Sequence, residues 1–200
     1  MANCQKIGIL GGTFNPVHNG HIHLAQLYHD KLKLDKILII PTNIPPHKSA
    51  ENIVSNSHRL NMLKLAFEQL PYAEISDIEL NKDGKSYTVE TLLLLKEKYP
   101  DDEFFLLIGG DMFLCFDKWK DYKKILSMCT LCTAPREENE YIKLKKYQDY
   151  LDPAHSNTEI IDSKVLQVSS SEIRSNITDS IQIPRKVKEY IIQEGLYNNG

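Results

Sequence analysis

Hydrophobic and polar positions along the chain form two kinds of block: short apolar runs typical of strands, and longer segments with the spacing of an amphipathic helix. Short apolar runs such as KIGIL (6–10) and DKILIIP (35–41) are typical of strands buried on both faces of a parallel sheet. Between them, GHIHLAQLYHDKL (20–32) repeats apolar residues at the spacing of an amphipathic helix. Because this alternation continues along the chain, it predicts an α/β fold with a Rossmann-like, doubly wound parallel sheet.

The later blocks predict the remaining elements of a single domain spanning residues 1–200. The pattern predicts strands over 72–80, 103–112, 127–134 and 158–168, and helices over 58–70, 87–99, 136–151, 169–175 and 184–195. Segment 116–126 is helical or irregular by the same criteria. The helix after Pro184 ends at Gly195 and predicts a small C-terminal helical subdomain over about 180–200.

Composition and charge narrow the class of protein. With 42% hydrophobic and 26% charged residues, the chain suits a globular domain. A net charge of -3 argues against a general nucleic-acid binder, which is usually basic. The first residues lack the pattern of a signal peptide, and no apolar stretch reaches the roughly 18 residues of a membrane span. We therefore expect a cytoplasmic protein without nucleic-acid or membrane partners; a homodimer stays open.

Two of the four cysteines, Cys129 and Cys132, form a CxxC pair. Such a pair can serve redox chemistry or bind a metal ion. Here it lies within a predicted strand, where residues three positions apart point to opposite faces, and no second CxxC completes a zinc site. The structural interpretation is therefore favoured over the redox or metal one.

The stretch GILGGTFNPVHNGHIHLAQ (8–26) joins the first strand to the first helix and carries the clearest chemistry. Gly11 and Gly12 allow a ligand to approach the main chain, and the following helix begins with unpaired N–H groups. Together these features predict a phosphate site. The spacing matches neither GxGxxG nor GxxxxGK[ST], so the site is of another kind.

Two histidines of this stretch, His18 and His21, are three positions apart at the start of the predicted helix. They share one helical face and can offer two imidazole N–H groups to the same phosphate. Gly20 between them leaves space for a phosphate or an adenine ring. A metal site built from HxxHxH is the alternative, but His23 points elsewhere and no nearby Cys or carboxylate completes a ligand set.

The motif GGTFNPVHNGH resembles the HxGH signature of the nucleotidyltransferase superfamily. PTNIPPHK (41–48), SYTVETL (86–92), LIGGDMFLCFDKW (107–119) and SSSEIR (169–174) follow in the order found in bacterial nicotinate-nucleotide adenylyltransferases. The resemblance implies transfer of the adenylyl group of ATP to nicotinate mononucleotide, which gives deamido-NAD and pyrophosphate in NAD biosynthesis. The alternatives are another phosphate acceptor (nicotinamide mononucleotide or phosphopantetheine) and a non-catalytic nucleotide-binding module.

The resemblance also implies roles for individual residues. Catalysis is assigned to His18, His21, Lys48 and Arg174. ATP binding is assigned to Gly11, Gly12, Thr13, Phe14, Gly20, Gly109, Asp111, Ser169, Ser170, Ser171 and Ile173. The pyridine nucleotide is assigned to His47, Thr88, Trp119 and Arg136, although Arg136 follows Pro135 where the family has Arg before Pro. Mg²⁺ is expected to arrive with the phosphates of ATP, without protein ligands.

Several of these residues have a second, structural interpretation. Arg174 can bind phosphate oxygens with its charged fork, but the serines before it also suit a capping box. Asp111 can accept from ribose hydroxyls or cap a helix, and Thr88 can likewise cap the helix from Val89. Trp119 can stack on a ring or fill the core. Lys48 can close over phosphates or remain a solvated loop residue.

Overall fold

Six parallel strands form one sheet in the order β3-β2-β1-β4-β5-β6. The structure is a computed structural model that describes residues 4–44, 53–82, 84–135, 137–163, 166, 168–177 and 179–197. The strands are β1 Lys6–Gly12, β2 Lys36–Pro41, β3 Ala73–Ile75, β4 Glu103–Leu107, β5 Thr130–Thr133 and β6 Thr158–Ile160. The order reverses between β1 and β4, as it does in a doubly wound sheet.

Helices connect the strands and cover both faces of the sheet. They are α1 Asn19–Leu32, α2 Asn56–Phe67, α3 Thr88–Lys98, α4 Gly110–Phe113, α5 Tyr122–Leu126, α6 Glu138–Leu151, α7 Ser170–Ser175 and α8 Arg185–Gln193, with a 3₁₀ turn over Phe116–Lys118. No helix in the described part of the chain is long and apolar enough to cross a membrane.

The core consists of two clusters, one on each face of the sheet. Along β2, Ile37 and Ile39 belong to one cluster while Leu38 and Ile40 belong to the other, because successive side chains of a strand point to opposite faces. The first cluster packs against α1, α2 and α8, and the second against α3, α5 and α6. The predicted fold class is confirmed. The expected C-terminal helix is α8, and its buried residues join the first cluster.

Three strands of the structure are shorter than the segments that the apolar pattern predicts. Of the segment 72–80 only β3 is extended, since the chain turns where the Leu80 N–H donates to Asp77 O. Among the described residues of 158–168, the edge strand β6 covers Thr158–Ile160, and one further backbone bond joins the Ile161 N–H to Thr133 O. β4 ends at Leu107, because the two glycines after Ile108 begin helix α4.

The two cysteines of the CxxC pair lie on opposite faces of the sheet. Cys129 belongs to one core cluster and Cys132 to the other, and both are free thiols. Each Sγ lies within hydrogen-bonding distance of a backbone carbonyl, that of Ile125 and of Thr130 respectively. The structural interpretation of the pair is therefore confirmed.

In the native chain the thiols of Cys129 and Cys132 should react slowly with thiol reagents. Burial raises the pKa of Cys129 to about 12 and that of Cys132 well above its usual value, so little thiolate forms at pH 8. Titration with a chromogenic disulfide should modify exposed Cys4 rapidly, and these two only after denaturation. Rapid loss of both buried thiols in native protein, with Cys4→Ser as the background, would contradict their burial.

Candidate active site

The site lies where the order of strands reverses, at the carboxyl edge of the sheet. β1 ends in Gly11 and Gly12, and β4 is followed by Gly109, Gly110 and Asp111. In open α/β sheets ligands bind in the crevice at such a switch point. The end of β2 borders the same crevice, since the Thr42 N–H donates to Gly12 O at 2.9 Å.

Residues Thr13–Val17, which we call the signature loop, are held by side chains from distant elements. The Arg59 guanidinium of α2 donates to Thr13 O at 2.9 Å. From α7, Arg174 donates to Asn15 O at 2.6 Å and Ser170 Oγ donates to Pro16 O at 3.1 Å. Three carbonyl groups of the loop are thus satisfied by donors from two helices, which fixes its path between β1 and α1.

The His18 and His21 rings stack on each other, as their spacing predicts. The ring centroids are 3.7 Å apart and the planes are inclined by 24°. His21 Nδ1 accepts from the His18 N–H at 3.2 Å, so the neutral His21 ring carries its proton on Nε2. The Phe14 ring packs edge-on against His21 at 4.8 Å and helps to orient it.

Both imidazoles are neutral at pH 7 because burial disfavours their charged forms. Burial lowers the pKa of His18 to about 4 and that of His21 well below its ordinary value; the nearby His18 lowers the latter further. His18 Nδ1 is buried and has no hydrogen-bond partner in the described structure. Each ring therefore offers one N–H donor without adding a buried positive charge.

The glycines on either side of the signature loop have different surroundings. A Cβ added at Gly11 would meet nothing within 4 Å, so this glycine leaves open space. A Cβ at Gly20 would lie 3.1 Å from the His18 ring and 3.1 Å from Val168. The absence of a side chain at Gly20 therefore lets the His18 ring and Val168 pack closely against it, and the role of Gly20 in binding a phosphate or an adenine ring stays a prediction.

Two residues expected to bind ATP direct their side chains into the core. Phe14 is 2% exposed and has a left-handed backbone with φ 49°, a conformation that non-glycine residues rarely adopt. Ile173 is likewise 2% exposed, and its N–H donates to Ser169 O. The Phe14 side chain supports His21 and that of Ile173 anchors α7, so any contact of these two residues with ATP would be made by their main chain.

Arg174 and Ser170 of α7 contact the signature loop. Ser169 is the N-cap of α7, but its side chain makes no capping hydrogen bond, so the capping-box interpretation is not borne out. Arg174 also donates to Ser171 Oγ at 3.2 Å and to Ser170 O at 3.3 Å. These bonds hold the guanidinium beside the loop.

The two proposed capping residues do not cap their helices. Gly109 is the N-cap of α4, and Asp111 lies exposed in its first turn. Tyr87 is the N-cap of α3, and Thr88 is its first residue. The segment before α3 is linked to the chain that follows β2, because the Asn43 N–H donates to the side-chain hydroxyl of Ser86.

Trp119 is half-buried and packs on Phe116, with ring centroids 5.0 Å apart. The next residue, Lys120, forms an ion pair with Glu90 of α3 at 2.8 Å and lies over the Tyr87 ring. These contacts place Trp119 next to the start of α3, where Thr88 lies. The structure thus brings the two predicted pyridine-binding residues onto adjoining elements.

Three predicted site residues, His47, Lys48 and Arg136, lie outside the described residues. Within the described ranges, no group of three or more His, Cys, Asp or Glu residues is arranged to hold a metal ion. The donors that surround the signature loop are N–H and O–H groups, which suit phosphate oxygens.

Arg59 was missed by the sequence analysis although it holds the signature loop. It is fully buried on α2 and also donates to Thr42 O at 2.7 Å and Asn56 Oδ1 at 2.5 Å. The buried face of α2 carries Arg59, Met62, Leu63 and Ala66. An arginine within an otherwise apolar helical stripe is the signal in the sequence that could have identified it.

A family model described as cytidylyltransferase-like matches residues 9–176. The chain belongs to the cytidylyltransferase-like family. Among its curated relatives is the "Probable nicotinate-nucleotide adenylyltransferase" of Shewanella frigidimarina, which is 40% identical over 96% of this chain and 100% of that protein. The relative of the same name from Bacillus mycoides is 37% identical over 98% of this chain and 100% of its own length.

A solved structure shares the fold of this chain. The chain superposes on Plasmodium falciparum nicotinic acid mononucleotide adenylyltransferase complexed with NaAD with a TM-score of 0.80. The match covers 98% of each chain at 20% sequence identity.

The neutral state of His18 should make stability depend on pH. An unfolded histidine binds a proton near pH 6.5, whereas His18 in the fold does so near pH 4, so the unfolded chain binds more protons between these values. Stability therefore falls as the pH is lowered through this window. Urea unfolding at pH 6.5 and 4.5 should show a smaller loss for His18→Asn than for the unchanged chain. Equal losses would refute the buried neutral state.

Proposed function

We propose that this chain transfers the adenylyl group of ATP to nicotinate mononucleotide, releasing deamido-NAD and pyrophosphate. The observation that carries the proposal is the meeting of His18, His21 and Arg174 around the signature loop at the switch point. The curated relatives cited above bear the corresponding name. The site offers donors suited to phosphates, so its chemistry is that of positioning and charge stabilisation.

The proposed reaction is one in-line displacement at the α-phosphorus of ATP. A phosphate oxygen of the mononucleotide forms the new P–O bond, and the bond between the α-phosphorus and the bridging oxygen breaks as pyrophosphate leaves. His18 and His21 donate N–H groups to the phosphate oxygens as negative charge shifts. Arg174 pairs with the departing pyrophosphate through its planar fork.

We assign Gly11 to close approach of ATP, because its surroundings are open at the end of β1. We assign Asp111, which is exposed in the first turn of α4, to accept hydrogen bonds from ribose hydroxyls. Thr13, Gly12, Gly109 and the serines of α7 complete the proposed ATP site. Trp119 stacks on the pyridine ring, and the Thr88 hydroxyl with nearby backbone N–H groups pairs with its carboxylate.

Mg²⁺ fits this site only as part of the ATP complex. The described residues supply no cluster of carboxylates for a protein-bound ion, and the donors at the loop would repel a cation. When bound to ATP, the ion neutralises charge on the phosphates. The protein's contribution is to hold the phosphates and orient the acceptor.

Loss of one donor should lower turnover without disturbing the fold. Removing a preorganised donor of this kind typically lowers kcat by a factor of about 10²–10³, so we expect His21→Ala to lower kcat by about that factor. His29→Ala is the matched control on the same helix, since its ring stacks on Tyr72 away from the site. Steady-state pyrophosphate release measures both. Near-normal turnover of His21→Ala would remove it from the mechanism.

The substrate assignment is tested by offering different acceptors with ATP and Mg²⁺. Nicotinate mononucleotide should give the highest kcat/KM for pyrophosphate release, because donors beside the ring favour a carboxylate over an amide NH₂. A preference for nicotinamide mononucleotide or phosphopantetheine would replace the acceptor while keeping adenylyl transfer. ATP binding without pyrophosphate release from any acceptor would favour a non-catalytic binding module.

A further inference from the structure

The chain beyond α8 returns to the signature loop. It turns at Gly195, which has a left-handed backbone with φ 60°. Leu196 is buried in the first core cluster, and its N–H donates to Ile191 O at 3.0 Å. This anchor fixes the next residue, Tyr197, whose own φ of 62° is unusual for a residue other than glycine.

Tyr197 reaches the loop through one hydrogen bond across 182 positions of sequence. Its hydroxyl donates to Asn15 Oδ1 at 2.7 Å, and Asn15 is only 5% exposed. The same oxygen accepts from the Val54 N–H at 3.2 Å. The Asn15 carboxamide therefore ties together three distant parts of the chain: the C-terminal segment, the signature loop and the start of α2.

The backbone of the same residue carries the contact with Arg174. Asn15 O accepts from the guanidinium at 2.6 Å, so Asn15 is held by Tyr197 at its side chain and by Arg174 at its backbone. The positive charges of Arg59 and Arg174 both act on the Tyr197 phenol, but burial is the larger effect and raises its pKa. The hydroxyl therefore stays protonated and can serve as a donor.

We propose that Tyr197 is a positioning residue for ATP: its hydroxyl fixes the Asn15 carboxamide, and through Asn15 it sets the place of the Arg174 guanidinium. Tyr197 acts through these groups and has no proposed contact with substrate. The inference rests on the proposed function in that Arg174 is taken to bind the phosphates of ATP.

If the Tyr197 hydroxyl only stabilised the fold, its removal would lower stability and would affect the use of ATP and of the mononucleotide equally. Tyr197 acts on the Arg174 side of the site, whereas Trp119 and Thr88 lie across the sheet edge near the start of α3. Its loss should therefore weaken the use of ATP and spare the use of the mononucleotide. Leu196 keeps the segment anchored when the hydroxyl alone is removed.

The test compares Tyr197→Phe with Tyr190→Phe. Tyr190, on α8, is also a half-buried tyrosine of the C-terminal region. Its hydroxyl contacts α2 instead of the signature loop: it lies 2.8 Å from His58 Nδ1 and accepts from Asn61 Nδ2 at 3.0 Å. Tyr197→Phe should lower kcat/KM for ATP about three- to tenfold, the size expected for one hydrogen bond, and leave KM for the mononucleotide within about twofold. Tyr190→Phe should leave both unchanged.

Two further measurements separate this inference from the proposed function. Calorimetry with a non-hydrolysable ATP analogue needs no acceptor, and its Kd should rise for Tyr197→Phe even if the chain proves to use another acceptor. In an Asn15→Ser background the Tyr197→Phe change should have no added effect, because the path through Asn15 is already broken. An unchanged Kd and kcat/KM, or equal losses for both substrates with a lowered Tm, would overturn the positioning role.

Discussion

The hydrogen bonds that hold the signature loop by its carbonyl oxygens are the constraint on which the site depends. The fully buried Arg59 is central to them, since a charge removed from water must be matched by acceptors. It finds these in Thr13 O and Thr42 O, which directly follow β1 and β2, and in an oxygen of Asn56. The guanidinium thereby fixes two neighbouring strand ends relative to α2.

The same constraint bears on the proposed anion site, whose two histidines are neutral. Because the loop is fixed by Arg59 and Arg174, the His18 and His21 rings begin α1 in one stacked arrangement, supported by Phe14. Burial keeps both rings uncharged, so they act as directed N–H donors rather than as mobile cations. Donors that are already oriented need no rearrangement when charge shifts during the reaction.

Local patterns sufficed to predict the parts of the site that neighbouring residues form. The period of apolar residues predicted the doubly wound sheet, and the spacing of His18 and His21 predicted their shared face. The contact of Gly20 with Val168 was not predicted, because Val168 comes from a segment almost 150 positions further along the chain. Spacing along a helix cannot reveal such a contact.

The same limit explains why two residues were missed. Arg59 contacts Thr13 across 46 positions, and Tyr197 contacts Asn15 across 182. For Arg59 the apolar stripe of α2 gave a usable signal, since a charged residue on a buried face must have partners. For Tyr197 no local pattern distinguishes it from any aromatic residue near the end of a chain. Tertiary structure alone brings its hydroxyl to the loop.

The central claim is that the site acts by positioning, with a single direct transfer between bound substrates. It is tested most directly by the stereochemical course at the α-phosphorus, using ATP made chiral there by sulfur and a heavy oxygen isotope. One in-line displacement inverts the configuration, so inversion in the dinucleotide product is the expected result. Retention would require two displacements through a covalent adenylyl-enzyme, as on His18 or His21, and would contradict the account.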